Sequence, residues 1–514
     1  MGLESRLRQR SSDTDRHCSG FRTGLILFTH IGFVFLILVC GLIMSLLEIR
    51  FQDVFLALCL GVLVLFAWML MSWAMAKGSL FNVYGLFMLA AMPFHGGYAL
   101  LYVLHAHQQS SLLNDVSPAV LGYSMALVLV CMALLHTGAL AGLIRPRNPE
   151  KLKDRDDETK LDVYRVGWLL LAFSVVPEAF HIREAMTVVI ESGYIGLFQG
   201  GTLAGEAGST LMGLMAAFFL PGVMFLLAGS RDRPLGRWIS LMAIVAYAGA
   251  QLFLGYRAYA LLPLVAYTWL WHYVIRPLPI VRLTLVGIGG FLFLAPFIRH
   301  VRGLNGVDRL SPTTLWQTFS AVEHPVRGLV VELSGTLATV AYTIIEVGAT
   351  RPFEAGLGYV HALGNAVPIV NVTDAYGSAS SWLAWRFRPE WAVDGFGFGY
   401  SFIAEAYLNF GWIGAPVVML ILGYLLVRMT QWAQQKNIVA RMAMVASLLP
   451  AVLFFVRGES VNIARPILWY ALIPYIMLLI LKAAQNRFPV LPISIFIKRI
   501  NRSLVPRTTE EGMR

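Results

Sequence analysis

Arginines recur at the ends of long apolar runs in this chain, and the pattern suits an anion site. LGYRAYALLP places Arg257 between two such runs, and APFIRHVRGLNG places Arg299 and Arg302 three residues apart, on one helix face. RGESVNIARP flanks a turn with Arg457 and Arg465, with Pro466 suited to a helix start. A guanidinium is planar, stays charged in dry surroundings and grips phosphate oxygens through paired N–H groups. Brought to one depth, these five side chains would hold a group with several negative charges, such as a pyrophosphate. The competing reading is that each one snorkels to lipid headgroups.

The stretch GFGFGYSFIAEAYLNFGWIGAP, residues 395–416, carries a single charge, Glu405. On a helix beginning near Ser401, the residues Ser401, Glu405 and Asn409 recur every four positions and form one polar stripe. A charge facing lipid costs about 3 kcal/mol or more, so the stripe is expected to face a cavity or a partner arginine. Glu405 is therefore a candidate base or an arginine-orienting acid. Gly395, Gly397 and Gly399 allow either close backbone approach to a ligand or a hinge. The segment SWLAWRFRPEW sets Trp382, Trp385 and Trp391 beside Arg386 and Arg388, which suits sugar stacking and equally an interfacial aromatic belt. His300 and His324 are further possible bases. Asp154 and Asp156 lie in the alternating-charge run KDRDDETK, which reads as a solvated loop. There is no Walker loop, zinc spacing or nucleophile elbow, so neither a metal nor a cofactor is expected.

The elements that must position these residues are transmembrane helices. Of 514 residues, 57% are hydrophobic and 13% charged, too apolar for a water-facing surface. The fold class is an all-α polytopic membrane protein of about twelve spans: 24–47, 54–76, 80–104, 118–144, 166–182, 208–229, 238–254, 258–275, 283–298, 400–427, 442–456 and 466–481. With the N-terminus inside, inner segments hold 28 of the 40 Lys and Arg and outer ones 12, so both termini are expected to be cytoplasmic. All seven lysines fall inside; every outer cation is arginine. The positive balance of +11 thus follows membrane topology rather than a nucleic-acid partner. The chain reads as one integral membrane domain, with a basic N-terminus (1–23), a long outer loop between spans nine and ten (299–399) and a basic tail (482–514). Within the loop, LVVELSGTLATVAYTIIEVGA fits an amphipathic helix on or dipping into the outer interface. Mid-span charges are essentially absent, which argues against an ion-coupled transporter.

At YSFIAEAYLNFGWIGAPVVMLILGYLL the sequence resembles the oligosaccharide repeat-unit polymerases of the Wzy type, which build O-antigen and related bacterial polysaccharides. GYRAYALLPL and RGESVNIARP agree in kind and place. The resemblance implies a multi-pass protein of the bacterial inner membrane with the membrane C-type glycosyltransferase fold. It implies metal-independent, inverting transfer at the periplasmic face between lipid-linked units on undecaprenyl pyrophosphate, one serving as donor and one as acceptor. Membrane lipids surround such an enzyme, and a chain-length regulator is a further partner it suggests. Arg257, Arg299, Arg302, Arg457 and Arg465 would hold the pyrophosphate. Alternatives are an O-antigen ligase, whose histidine motif Glu323-His324-Pro325 echoes weakly, and, in a different class, a lipid-linked oligosaccharide flippase.

Overall fold

The computed structural model describes residues 20–37, 39–40, 43, 51–107, 111–113, 116–144, 156–199, 211–302, 304, 311–320, 325–367, 377–434 and 439–487. Among these every named element is a helix, apart from an isolated bridge between Val347 and Arg351. In chain order they are α1 (Gly20–Ile37), α2 (Phe51–Lys77), α3 (Val83–Val103), α4 (Pro118–Ile144), α5 (Asp156–Gln199), α6 (Leu211–Ala228), α7 (Pro234–Leu254), α8 (Arg257–Val274) and α9 (Ile280–Val301). Six short helices follow: α10 (Pro312–Ser320), α11 (Pro325–Ser334), α12 (Thr336–Glu346), α13 (Leu357–Gly364), α14 (Ala379–Phe387) and α15 (Pro389–Val393). Three long helices close the chain: α16 (Phe402–Ala433), α17 (Val439–Phe454) and α18 (Val461–Gln485).

Eleven helices among the described residues are long and apolar enough to cross a membrane, against the twelve expected. Two expected spans, α8 and α9, fall outside that set, and the pair α11 and α12 enters it. Helix α8 is 18 residues long, but Arg257, His272 and its tyrosines and tryptophans leave it short of that apolarity. Helix α5 runs 44 residues, through Pro177 and a left-handed Gly193 (φ 72°), so the span expected at 166–182 extends well past its proposed end. The stretch expected at the outer interface is the pair α11 and α12, broken at Gly335 and packed inside the bundle against α3, α4 and α16. From Thr336 to Thr343 every residue of α12 is buried. The Thr343 hydroxyl meets the Tyr400 hydroxyl at 2.9 Å, and the Tyr400 N–H bonds the Arg457 carbonyl at 3.4 Å. Glu332, before the break, pairs with Arg257. The pair is thus fastened on both sides of its break to residues flanking the same rim.

The most extensive helix pairing joins α4 to α16. It needs glycine on both sides. A Cβ on Gly138 would lie 1.9 Å from the Leu420 carbonyl oxygen, and one on Gly423 would lie 1.9 Å from that of Leu135. In lipid, where apolar surface gains nothing by leaving its surroundings, such backbone approach is a main source of helix association. Polar contacts join the first four helices. His136 is fully buried, with Ser72 Oγ at 2.8 Å from Nε2 and Tyr84 Oη at 2.7 Å from Nδ1. Trp68 donates to His30 Nδ1 at 3.1 Å, so the proton of that imidazole sits on Nε2, which donates to the Ala133 carbonyl at 3.0 Å. With its bonds accounted for, this network holds helices together.

Substituting Gly138→Val should cost about 1–3 kcal/mol of stability through overpacking. It should lower the thermal midpoint of the detergent-solubilised protein. Gly249→Ala, where a Cβ meets nothing within 4 Å, should not. Equal midpoints for the two variants would mean that α4 and α16 do not approach this closely.

Candidate functional site

The turn after α17 organises one end of the bundle. Phe455–Arg457 forms a single tight 3₁₀ turn, and residues 458–460 lead into α18. Ser460 donates its N–H to both carboxylate oxygens of Glu405 at 2.9 Å and its hydroxyl to Oε1 at 2.6 Å. Next to it, Glu459 accepts the N–H groups of Ala379 and Ser380 at 3.0 and 2.9 Å, capping the N-terminus of α14. Burial raises the Glu459 carboxyl above its ordinary range, and those two N–H groups partly offset the shift.

Glu405 lies in the first turn of α16, as its spacing suggests. Ser401 is the N-cap, accepting from the N–H groups of Ile403 and Ala404 at 3.2 and 3.4 Å. The Asn409 side chain donates to the Glu405 carbonyl at 2.9 Å, so the three residues do form one polar stripe. What the stripe faces is different. Among the described residues no guanidinium reaches the Glu405 carboxylate, which is buried against Ser460 instead of facing a cavity. Downstream, the left-handed Gly411 (φ 62°) breaks the helix. The carbonyls of Leu408 and Asn409 accept instead from the N–H groups of Glu354 and Ala355 at 3.1 and 2.9 Å. The glycines before α16 serve the protein's own contacts: Gly399 is left-handed (φ 70°), and a Cβ there would lie 3.0 Å from Arg457 Nε.

Three of the five candidate arginines come together. Arg257, the first residue of α8, is ion-paired with Glu332 of α11, with Nη1 donating to Oε2 at 3.2 Å. Arg302, just past α9, donates from Nε and Nη2 to the Gly255 carbonyl at 2.9 and 2.6 Å, and its guanidinium lies 4.6 Å over the Tyr194 ring. Burial is the main cause lowering the Arg302 pKa from the usual arginine range, and the charges of Arg257 and Arg457 act the same way. Arg457 reaches the Phe398 carbonyl at 3.5 Å. Glu332 lies within electrostatic reach of all three guanidiniums, and Tyr194 likewise. Among the described residues three guanidiniums surround one carboxylate here, a set suited to the two negative charges of a diphosphate diester.

The other candidates are placed differently. The Arg299 side chain lies outside the described residues, as do the side chain of His300 and the whole of His324. Arg465 donates from Nε to the Asn365 carbonyl at 2.9 Å and borders a cavity of about 410 Å³. On α14, Arg386 pairs with Glu346 at 3.1 Å and Trp385 is 58% exposed. Trp382 is half-buried beneath the Arg351 guanidinium at 5.0 Å, Trp391 packs on Phe398, and Arg388 caps the short α15. The sequence reading passed over Glu332, Tyr194 and Glu178. Glu332 interrupts an apolar stretch, and Glu178 stands beside Pro177 inside an apolar run, which was the available signal for each.

Fold and site define a polytopic helical membrane protein that holds excess guanidinium charge, partly buried, at one end of its bundle. The family model described as O-antigen polysaccharide polymerase Wzy matches residues 26–486, and the chain belongs to that family. It is therefore an integral membrane protein of O-antigen repeat-unit polymerisation, with a polymerising glycosyltransferase-type activity on lipid-linked units. No curated protein and no solved structure matches the chain.

If Glu405 acts as a tie to Ser460, reach matters more than charge. Glu405→Gln, which keeps one acceptor oxygen at the same distance, should retain more polymer than Glu405→Asp, which falls one methylene short. The measurement is the O-antigen ladder in a strain lacking its own polymerase. The reverse order would make the negative charge the requirement.

Proposed function

We propose that this protein extends O-antigen at the periplasmic face of the inner membrane by moving the growing chain from undecaprenyl pyrophosphate onto an incoming lipid-linked repeat unit. The observation that carries this reading is the convergence of Arg257, Arg302 and Arg457, from three separate helix joints, around the single carboxylate of Glu332. An acceptor hydroxyl attacks the anomeric carbon of the donor chain, a new C–O bond forms, and the bond from that carbon to the diphosphate breaks with inversion. The diphosphate leaves with the bonding electrons. It is already a good leaving group, so it needs its growing charge met more than it needs a proton, and guanidiniums meet that charge without a metal.

In this reading Glu332 orients Arg257 and keeps the site from holding three unbalanced cations before the donor arrives. Glu405 is a positioning acid: it fixes Ser460 and, through the turn, the backbone that carries Arg457. Trp385 and Trp391 are the exposed aromatic faces at the same end, suited to stacking on sugars of the growing chain. The concentration of guanidinium at one end, rather than along a path through the membrane, favours group transfer over transport of the lipid-linked unit.

Arg257→Ala and Arg457→Ala should each reduce long-chain O-antigen about 100-fold or more, the usual scale for removing one preorganised donor from a developing charge. Lipid A capped with a single repeat unit should persist, as read on silver-stained lipopolysaccharide gels. Wild-type ladders in both variants would refute the cradle. Loss of every surface repeat, single caps included, would point to ligation or flipping as the step these arginines serve.

A further inference from the structure

The arginine cluster leaves the attacking hydroxyl without a base, because Glu405 is committed to Ser460 and Glu332 to Arg257. The other described carboxylates around it are also held: Glu459 by two backbone N–H groups, Glu354 by Arg351, and Glu346 by Thr350 and Arg386. Glu178 is the contrast. It sits inside α5, a helix long and apolar enough to cross a membrane, and among the described residues it has no hydrogen-bond or ion-pair partner. An ionisable group kept there without a partner is costly, and in membrane proteins such residues mark substrate paths and proton relays.

Glu178 borders the cavity of about 410 Å³ that Arg465 also borders, within the ~300–1,000 Å³ of small-ligand sites. The walls around it carry Tyr247 of α7, Tyr259 of α8, and Asn462 and Tyr470 of α18. The charge of Glu178 acts on both Tyr247 and Tyr470. Tyr470 belongs to a π-helical stretch, Ile467–Leu472, a geometry that is rare and concentrated at functional sites. Phenol rings, an amide, a carboxylate and a guanidinium form a lining for a sugar: apolar faces for the ring, and acceptors and donors for its hydroxyls.

The cavity is joined to the arginine cluster. Arg302 covers the Tyr194 ring, Tyr194 meets Tyr256 at 6.0 Å, and Tyr256 meets Tyr259 at 5.7 Å between ring centroids. Tyr259 lines the cavity and packs on Phe454, three residues before Arg457. A wall of three tyrosine rings therefore runs from the guanidiniums to the carboxylate.

Resting on the diphosphate cradle proposed above, we propose that this cavity receives the acceptor sugar of the incoming lipid-linked repeat unit and that Glu178 takes the proton from its attacking hydroxyl. The hydroxyl proton passes to the Glu178 carboxylate as the oxygen bonds to the anomeric carbon, the diphosphate departs toward the arginines, and Glu178 then releases the proton to water. Base and leaving-group site lie at opposite ends of the tyrosine wall, and the acceptor hydroxyl and the donor's anomeric carbon would meet between them.

The test uses the full-length protein reconstituted in phosphatidylethanolamine–phosphatidylglycerol vesicles with its own lipid-linked repeat unit. Undecaprenyl pyrophosphate alone serves as the probe of carrier binding. Glu178→Gln should lower polymerisation about 100-fold or more while binding of undecaprenyl pyrophosphate stays at the wild-type level, and Glu178→Asp should recover part of the rate. Polymerisation by Glu178→Gln within about threefold of wild type would overturn the proposal, as would joint loss of carrier binding and polymerisation in a folded Glu178→Gln protein. If Glu178→Gln does not fold, Ala217→Trp decides by filling the cavity from α6. Lost polymerisation with retained carrier binding supports the acceptor site, and a wild-type rate overturns it. The two readings fail separately. Arg257→Ala with intact carrier binding and polymerisation defeats the cradle, whereas an inactive Arg257→Ala beside an active Glu178→Gln defeats only the role of the cavity.

Discussion

The bond between Ser460 and Glu405 fixes the part of the molecule from which the other contacts at this end take their positions. One residue gives both its N–H and its hydroxyl to a carboxylate that is itself anchored in the first turn of a 32-residue helix. That places the four residues Arg457 to Ser460 on a rigid frame. Their carbonyl at Arg457 receives Tyr400, their carboxylate at Glu459 starts α14, and the Arg457 side chain lies against Gly399, where any Cβ would crowd it. In the membrane the first turn of a helix lacks water to satisfy its N–H groups, and the partners have to come from the protein. Ser401 and Glu459 provide them for two neighbouring helices, and the same contacts fix where an arginine points.

The excess of positive charge is the second constraint. Guanidiniums taken out of water lose hydration that one carboxylate among three cannot replace, so the free protein holds them at a cost. Arg257 is ion-paired with Glu332, Arg302 meets the Gly255 carbonyl and a tyrosine face, and Arg457 makes a long contact to Phe398. A dianionic ligand would relieve the repulsion and complete the bonding at once. Donors fixed in advance of the reaction also need no rearrangement as charge develops on the leaving group. Arginine suits this better than lysine, because its pKa leaves it protonated even when burial and two like charges act against it.

How much of this could be read from the chain varies with the range of the contact. The stripe Ser401, Glu405, Asn409 is local, set by helical repeat, and it is found where the repeat puts it. The partner of Glu405 is 55 residues away, and Ser460 is a small, common residue with nothing in its neighbourhood to announce it. Arg257, Arg302 and Arg457 were visible because each ends an apolar run, but nothing local separates them from Arg465, which ends one too and borders the cavity instead. Glu332 was legible as a flaw in a helix and not as an anion for three cations, since that role depends on α11 and α12 folding back into the bundle. Glu178 falls inside the span expected at 166–182, and the cavity it borders is lined from helices far along the chain. In lipid a proline is tolerated inside a helix when neighbours re-satisfy the freed carbonyl, and α5 runs through Pro177 to Gln199.

The carboxylates at this end of the molecule fall into two kinds, and the membrane is the reason for the division. An acid inside the bilayer must be matched by donors or else stand beside a space that something polar will fill. Glu332, Glu346, Glu354, Glu405 and Glu459 are matched, and each match joins segments that the sequence keeps apart or closes a turn. Removing their charge would loosen the frame. Among the described residues Glu178 makes no bond, yet it borders the cavity in which Arg465 and three tyrosines also end, and a carboxylate removed from water without a partner costs stability. A chain that needed only a stable helix at that position would carry a leucine. The acid is therefore better explained by what enters the cavity than by what surrounds it, and the tyrosine wall running back to the arginines indicates from which direction the other half of the reaction comes.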